Sequence, residues 1–512
     1  MRVLTGAQMK QAEENSLAYD LTFHRLMENA GSAASAFIRR TFMVAGLNIM
    51  VFSARGNNGG DGLVVARKLV EEGANVVAVL LDGIPQSPEA AAMYSSALMV
   101  QIPILEYEEN AQKIHEYLEQ TDIVIDAVCG TGFHGELRPA HRAVCRAINE
   151  AIAAVVSLDI PTGVECDTGA ADADAVQADF TIAFDSLKPL HILPSSLSCC
   201  GKVEVVDIGI PPEAHRGIVP IFGAIDTEQV FEDLPPRAAD SHKGDFGRVL
   251  VVAGCQSYRG AAALCTLAAL RGGAGLVTLA STAEVCAGVA AHVMEATFLP
   301  LAQSNLGGVD FEAAPALLDA QLASASAVVF GCGLGNTSHT ARLLEHMLKH
   351  AACPVVVDAD GINALAGNIH VLQKASAPVI LTPHPGEMAR LCEVTTQDIA
   401  ADRQGFAMRF AREHRVNLVL KGAGTLIASP EGGLLLNQTG NPGLAKGGSG
   451  DVLAGMIGAL LGQRLPATRA AACAVHLHGL AGERCAARRS QYAMLPSELL
   501  ADLAELFLEH GR

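Results

Sequence analysis

No CxxC pair occurs in the chain, although it holds 13 cysteines. They are scattered, and Cys199 and Cys200 are adjacent, which suits neither a zinc knuckle nor a disulfide framework. An odd number of cysteines and no secretion signal fit a reduced cytoplasm, so a cytoplasmic protein is expected. The apolar stretches are interrupted by glycine and too short to span a bilayer, so no membrane association is expected. Basic residues are outnumbered: Lys and Arg total 36 against 54 Asp and Glu, a net charge of −18. That excludes a general nucleic-acid or anionic-membrane surface. A phosphate ligand must then be held by local backbone dipoles and a few cations. Charged residues make up 18% and no long like-charge run is present, which argues against extensive disorder. Walker A, HExxH and an ordered Ser-His-Asp set are all missing, so hydrolase readings are weak. No short-period repeat is visible.

What is present is length and apolar content. The 512 residues, half of them hydrophobic, exceed one ordinary core and point to two or more domains. The stretch that organises the chain is 440–461, GNPGLAKGGSGDVLAGMIGALL. Its glycines run straight into Asp451 and then into a small-residue apolar helix. Free N–H groups and the positive helix end make an anion site. A carboxylate there makes sense as a base that takes a proton while the amides hold developing negative charge. A glycine connector with Asp451 as an N-cap is the plainer alternative.

Before it, Thr5 and Gln8 read as a capping box opening a polar helix through Ala18. A second amphipathic helix spans 25–40. Strands are expected at 48–54, 75–82, 122–130, 154–163, 179–186 and 202–210. Helices alternate with them, which gives a parallel sheet covered on both faces. Ligands sit at the carboxyl ends of such strands. Asn57, Asn58 and Asp61, then Asp126, then Asp159 and Thr162 lie there. The run NNGGD is either a tight turn or a site. Oxygen donors from Asn58, Asp126 and Thr162 would suit a hard cation. GTGFHG at 130–135 formally matches the dinucleotide fingerprint, but Pro139 delays the helix, so a phosphate-contacting loop is preferred to a hydride-transfer site.

Residues 211–240 carry paired prolines and a broken pattern, and a boundary is expected near 225. A second βα series follows: strands at 247–254 and 276–281, a strand ASAVVFG ending in GCGLG at 331–335, a strand, acidic turn and helix over 354–365, a strand, loop and helix over 378–391, and two strands around a glycine turn at 417–429. Lys421, Gly422, Ala423, Gly424 and Thr425 offer one cation and open backbone, or simply a hairpin turn. His384 lies between prolines in TPHPGE, well placed for ligand contact.

Together these motifs resemble a known family. HKGDFGRVLVVAG, YRGAA, LRGGAG, DADGINAL, LTPHPGEMARL, LKGAGT and the organising stretch resemble the carbohydrate-kinase-like domain of NAD(P)HX dehydratases. ARGNNGGDGLVVAR, VIDAVCGTGFHGELR and SLDIPTG resemble the NAD(P)HX epimerase domain that often precedes it. Cys332 is a departure, since the family usually has proline in GPGLG. The resemblance implies an α/β fold in two domains: an N-terminal Rossmann-like three-layer αβα sandwich and a C-terminal ribokinase-like α/β domain. It implies an epimerase domain over 1–215, a linker over 216–225 and a dehydratase domain over 226–512.

The implied activity is repair of hydrated NADH and NADPH. The first domain would interconvert R and S epimers, and the second would dehydrate the S form using ADP or ATP with Mg2+. By carry-over, Asn57, Asn58, Gly59, Gly60, Asp61, Gly130, Thr131, Gly132, Phe133, His134, Gly135, Glu136 and Asp159 contact the hydrate, with Asp159 catalytic. Asn58, Asp126 and Thr162 hold K+. In the second domain Ala262, Gly333, His384 and the catalytic Asp451 line the hydrate site, and residues 421–425 with Gly450 hold the nucleotide. The expected partners are these small molecules and further copies of the chain. The rival expectation is a ribokinase-like kinase for a vitamin or sugar, fused to a nucleotide-binding domain. It would make a stable phosphate ester. A nucleotide-sensing scaffold without turnover is a second rival.

Overall fold

The computed structural model describes residues 2–193, 195–218, 220 and 222–512. The chain divides into two compact units, Met1–Phe222 and Gly223–Arg512. In the first, β1 (Arg2–Val3) makes a parallel bridge from Val3 to Leu187. The sheet is built from β2 (Asn48–Ser53), β3 (Asn75–Leu80), β4 (Ile104–Glu106), β5 (Ile123–Ala127), β6 (Ala154–Leu158), β7 (Phe180–Phe184) and β8 (Lys202–Val206). All pairs are parallel, in the order β4-β3-β2-β5-β6-β7-β8. Alternation along β2 explains the layers. Ile49 and Val51 enter the core beneath the helices Phe23–Phe42 and Asn57–Glu71. Met50 and Phe52 enter the opposite core with Val144 and Ile148 of the helix Pro139–Glu150. The strand order reverses between β2 and β5, so the crevice beyond their carboxyl ends is where a ligand fits.

The glycines at 59 and 60 are not turn residues. The sequence suggested a loop followed by a helix from Leu63, but the helix begins at Asn57 with Gly56 as its N-cap. A Cβ on Gly59 would lie 1.9 Å from the carbonyl oxygen of Ala54, and one on Gly62 would lie 2.6 Å from Ala127 Cβ. These glycines let the helix start directly on the ends of β2 and β5. The Thr5–Gln8 capping box is present, and its helix runs Gly6–Ser16 before a 3-10 turn.

The second unit holds β9 (Phe222–Ala224), β10 (Arg248–Val252), β11 (Leu276–Thr282), β12 (Thr297–Leu301), β13 (Ala327–Phe330), β14 (Val355–Val357), β15 (Val379–Leu381), β16 (Asn417–Leu420), β17 (Leu426–Ala428) and β18 (Leu434–Leu436). Their order is β9-β18-β17-β16-β15-β14-β13-β10-β11-β12. β16, β17 and β18 pair antiparallel, as the glycine turn suggested, and the pairs from β12 to β16 are parallel. The switch point lies between β10 and β13. The stretch expected as a linker, 216–225, is not all linker: β9 pairs with β18. Within that stretch residues 219 and 221 lie outside the described residues. Asp226 then caps the helix Thr227–Asp233.

The helix Ser449–Gly462 crosses this unit. A Cβ on Gly455 would lie 2.3 Å from the carbonyl oxygen of Cys265, and one on Gly458 would lie 2.3 Å from Val329 Cγ2. Small residues thus let the helix pack closely on both the helix Arg259–Arg271 and β13. That contact sets the height of Asp451 over the strand ends. Among the described residues no helix is long and apolar enough to cross a membrane.

Candidate active sites

The first unit has a cleft of about 730 Å³ at its switch point. The loop after β2 and the start of its helix supply Asn57, Asn58 and Asp61. The loop after β5 supplies Gly130, Thr131, Gly132, Phe133, His134 and Glu136, and Asp159 follows β6. Glu13 and Lys188 complete the polar floor. Asp159 has φ 62°, a left-handed conformation that is costly without glycine and is kept where surrounding contacts over-determine it. Lys188 Nζ donates to Asp159 Oδ1 at 2.5 Å and to the carbonyl of Phe184 at 2.8 Å. The Lys188 side chain is fully buried. His191 secures both residues: its Nδ1 accepts from the backbone N–H of Lys188 at 3.0 Å, and its Nε2 lies 2.8 Å from the carbonyl of Asp159. That arrangement needs a neutral ring protonated on Nε2. Burial, aided by the Lys188 charge, lowers the His191 pKa to about 4.

Two further carboxyl groups share this floor. Burial, and then the charge of Asp159, pushes Asp61 well above the carboxylate range. The same causes push Glu13 up to about 7. One lysine therefore faces more carboxyl groups than it can ionise, and protonated acids remain beside the Asp159–Lys188 pair. That is a centre able to give and take protons.

Behind the cleft, Asp126 is fully buried. Its Oδ1 accepts from Thr162 Oγ1 at 2.6 Å, and its Oδ2 accepts from Ser157 Oγ at 2.8 Å and Thr162 N at 2.9 Å. Burial raises its pKa against these bonds. Thr162 Oγ1 also accepts from Cys129 N at 3.0 Å. Asn58 Nδ2 donates to the carbonyls of Cys129 and Leu158 at 2.6 and 3.1 Å. Asn58 Oδ1 is buried without a hydrogen-bond partner.

The second centre surrounds Asp451, in the first turn of its helix. Asp451, Asp358 and Cys332 present ligand atoms within 4.8 Å of one another. Lys421 Nζ donates to Asp358 Oδ1 at 2.8 Å, as does Thr382 Oγ1 at 2.6 Å. Burial opposes the Lys421 charge, but Asp358 and Glu387 outweigh it and raise its pKa. Burial, with Asp358 beside it, pushes Asp451 up to about 6, so the group is ionised at neutral pH yet remains a usable base. Gly450 faces this pair: a Cβ there would lie 3.3 Å from Lys421 Nζ and 3.5 Å from Asp358 Oδ2.

His384 caps the helix Pro385–Cys392, and its Nδ1 accepts from Gly386 N at 3.0 Å. Glu387 returns the bond by accepting from His384 N at 2.8 Å. Burial, and then Lys421, lowers the His384 pKa, so a neutral, half-exposed ring faces outward. The turn at 421–425 is held from below by Arg403, which donates to the carbonyls of Ala423 and Gly424 at 2.7 and 3.1 Å.

Two family models match this chain. One, described as NAD(P)H-hydrate dehydratase, spans residues 249–505, and the other, described as YjeF-related protein N-terminus, spans 23–190. The bifunctional NAD(P)H-hydrate repair enzyme Nnr of Moorella thermoacetica is 39% identical over 506 residues, covering 98% of this chain and 95% of the relative. The chain belongs to the bifunctional NAD(P)H-hydrate repair enzyme family. The relative of the same name from Escherichia coli K12 is 33% identical over 492 residues, covering 95% of this chain and 90% of the relative. An ADP/ATP-dependent NAD(P)H-hydrate dehydratase from Bacillus subtilis, co-crystallized with ATP/Mg2+, is 34% identical with a TM-score of 0.49, covering 55% of this chain and 96% of that one.

Most residues suggested by the family motifs are brought together, with corrections. Gly59 is spent on the contact with Ala54, and Gly60 on one with Met27, where a Cβ would lie 2.6 Å from Sδ. Neither these two nor Gly135 lines the cleft. Gly135 N donates to Glu165 Oε1 at 2.8 Å, tying the loop down. Ala262 is fully buried, and a Cβ on Gly254 would lie 2.8 Å from its methyl group, so its side chain packs rather than faces ligand. Gly333 has φ 63° and sits against Tyr258 and Ala261. Sequence reasoning missed Glu13, Lys188, His191, Asp358, Glu387 and Arg403. Lys188 left one signal: a single cation in the otherwise uncharged run SLKPLH after a strand.

Proposed function

We infer that this chain repairs hydrated NADH and NADPH, epimerising the R and S hydrates and dehydrating the S form at the expense of ADP or ATP. The observation that carries the reading is the 39% identity over 98% of the chain to a bifunctional repair enzyme. The geometry supports it with one proton-transfer centre and one base-and-phosphate centre. In this reading residues 1–215 form the epimerase domain and 226–512 the dehydratase domain.

Epimerisation must make the hydroxyl-bearing ring carbon planar and then restore the hydroxyl on the other face. One group protonates the departing hydroxyl and another takes a proton from the returning water. Protonated Asp61 or Glu13 suits the first task. Asp159, ion-paired with Lys188, suits the second.

In the second centre Asp451 takes the hydroxyl proton as the oxygen attacks the terminal phosphorus of the nucleotide. The P–O bond to the leaving nucleotide breaks. Elimination then releases a ring proton to water and expels phosphate, restoring the conjugated dihydronicotinamide. Mg2+ supplies charge neutralisation on the phosphates when bound. Lys421 and the amides around Gly450 hold the phosphoryl oxygens, and His384 faces the hydrate.

A potassium ion would be held by Asn58, Asp126 and Thr162. The unpartnered Asn58 Oδ1 supports that fit, because a buried acceptor without a donor is what a cation satisfies. The other oxygens already share bonds among themselves, so the ion would add to a formed network. The test of the whole reading supplies pure S hydrate with ADP and Mg2+ and follows recovery of dihydronicotinamide absorbance. Accumulation of a stable phosphate ester instead would favour the kinase reading.

A further inference from the structure

We propose that the second unit carries a divalent-metal site of the zinc class, formed by Asp319, His346 and His350 and separate from the Asp451 centre. His346 and His350 stand one turn apart on the helix Ser338–His350, so both rings leave the same face. The rings stack with centroids 4.3 Å apart and planes 16° apart. Asp319 comes from the adjacent helix Pro315–Leu322. Its Oδ1 lies 2.8 Å from His346 Nε2 and 4.0 Å from His350 Nδ1.

One ligand atom from each residue falls within 4.8 Å of the others. Bonds of about 2.0–2.2 Å in a tetrahedral site place ligand atoms roughly 3.3–3.5 Å apart. The two distances to Asp319 bracket that spacing, so modest side-chain rotation completes a site.

The donor set selects the ion. Two imidazoles and one carboxylate suit Zn2+, Co2+ or Ni2+, whereas Mg2+ and Ca2+ prefer all-oxygen sets. His346 is pre-positioned: its side chain is 12% exposed, and Phe311 meets its ring edge-on at 6.2 Å. His350 and Asp319 are more than 40% exposed, which gives the ion an entry path and leaves its remaining positions to water. His339 on the same helix is engaged elsewhere, its Nδ1 accepting from Phe311 N at 3.1 Å. Because the ligands come from two helices, a bound ion joins them only in the folded state and raises thermal stability. The alternative is a hydrogen-bonded His–Asp cluster at a helix carboxyl end, with no metal affinity.

Cobalt(II) distinguishes these readings and reports its ligands. Added to the full chain, it should give visible d–d bands of tetrahedral N/O coordination, no thiolate charge-transfer band, and a higher melting temperature. His350→Ala and Asp319→Asn should each weaken binding by at least about tenfold and abolish the melting shift. Both variants should keep wild-type epimerisation and dehydration rates without added cobalt. Absence of binding to the wild type would overturn the site, as would equal affinity in His350→Ala. So would a thiolate band, which would put the ion at Cys332 instead.

Discussion

The two centres solve the same electrostatic problem in opposite ways. Each places a lysine against a strand-end carboxylate where a non-glycine residue has positive φ: Asp159 itself at 62° in one, and Ala359, next to Asp358, at 51° in the other. In the first, Lys188 is fully buried and both its carboxylate and its own backbone are fixed by a neutral histidine. Surplus carboxyl groups there are pushed toward neutrality. In the second, Lys421 is 20% exposed at the end of an open turn and faces Asp358 and Glu387, while Asp451 stays near the ionised side of neutral. A closed lysine with spare protons suits protonating a departing hydroxyl and deprotonating the water that returns. An open lysine beside glycine amides and one base suits phosphoryl transfer.

The sharpest way to separate the centres is Asp451→Asn. Asparagine keeps shape and capping ability but cannot take a proton. Dehydration should fall by about two to four orders of magnitude, while epimerisation and nucleotide binding stay near wild type. Turnover and a nucleotide titration on this variant decide it, and near-normal turnover would remove Asp451 from the mechanism. The same variant has a pH signature. Asp451 moves from 3.8 to about 6 on folding, so its proton stays bound through a window where the unfolded chain has released it. Its contribution to stability falls as pH rises through that window and is lowest above about 6. Asp451→Asn should therefore melt above the wild type at about pH 8 and level with it at about pH 3.

Lys188→Met tests whether the closed lysine is indispensable. It leaves Asp159 facing Asp61 and Glu13 with no cation. Removing one partner of a buried pair costs about 3–5 kcal/mol, so denaturant midpoints should drop, and epimerisation should be lost while S-hydrate turnover survives in the folded fraction. Equal epimerisation rates would mean that the lysine is structural only. Glu13→Gln is a smaller perturbation. If Glu13 is a proton donor, epimerisation should fall by about a hundredfold, the lower end for a general acid. The wild type should also lose rate as pH rises through about 7, and that limb should flatten in the variant. A pH–rate profile of the same shape in both would exclude the role.

Cys332→Ala is the mildest. The thiol's hydrogen bond holds the Asp451 pKa down against burial and Asp358. Its loss should move the acid limb of dehydration to higher pH with little change in the plateau rate. An unmoved limb would show that the thiol has no electrostatic part in the centre.

The sheet of the first unit was legible because its strands alternate visibly with helices, and the glycine stretch before Asp451 because its composition is unusual. The strand limits were read too long by several residues at the carboxyl ends, where apolar residues such as Ile160 continue into a buried cluster beyond the strand. Asn57 was read as a loop residue because a helix with three glycines in its first six residues contradicts local propensity. Only the approach to Ala54 explains it. β9 was hidden for a different reason: a three-residue strand among prolines gains its meaning from pairing with β18, far away in sequence. Glu13 and His191 could not be read as site residues. Their roles arise from burial against each other's neighbours, which no spacing rule encodes.

The close seating of the helix Ser449–Gly462 also governs how this chain can diverge. At Gly455 and Gly458 the next heavy atom would already collide with Cys265 and Val329. Neither the facing helix nor the facing strand can substitute alone to make room, since each also lines a fully buried core. Divergence there needs concerted replacement, and single changes should be purged in a saturation library. The turn at 421–425 is held by hydrogen bonds instead, from Lys421 to Asp358 and from Arg403 to the carbonyls of Ala423 and Gly424. Hydrogen bonds can be exchanged one residue at a time, so that turn can diverge while the helix that carries Asp451 stays unchanged.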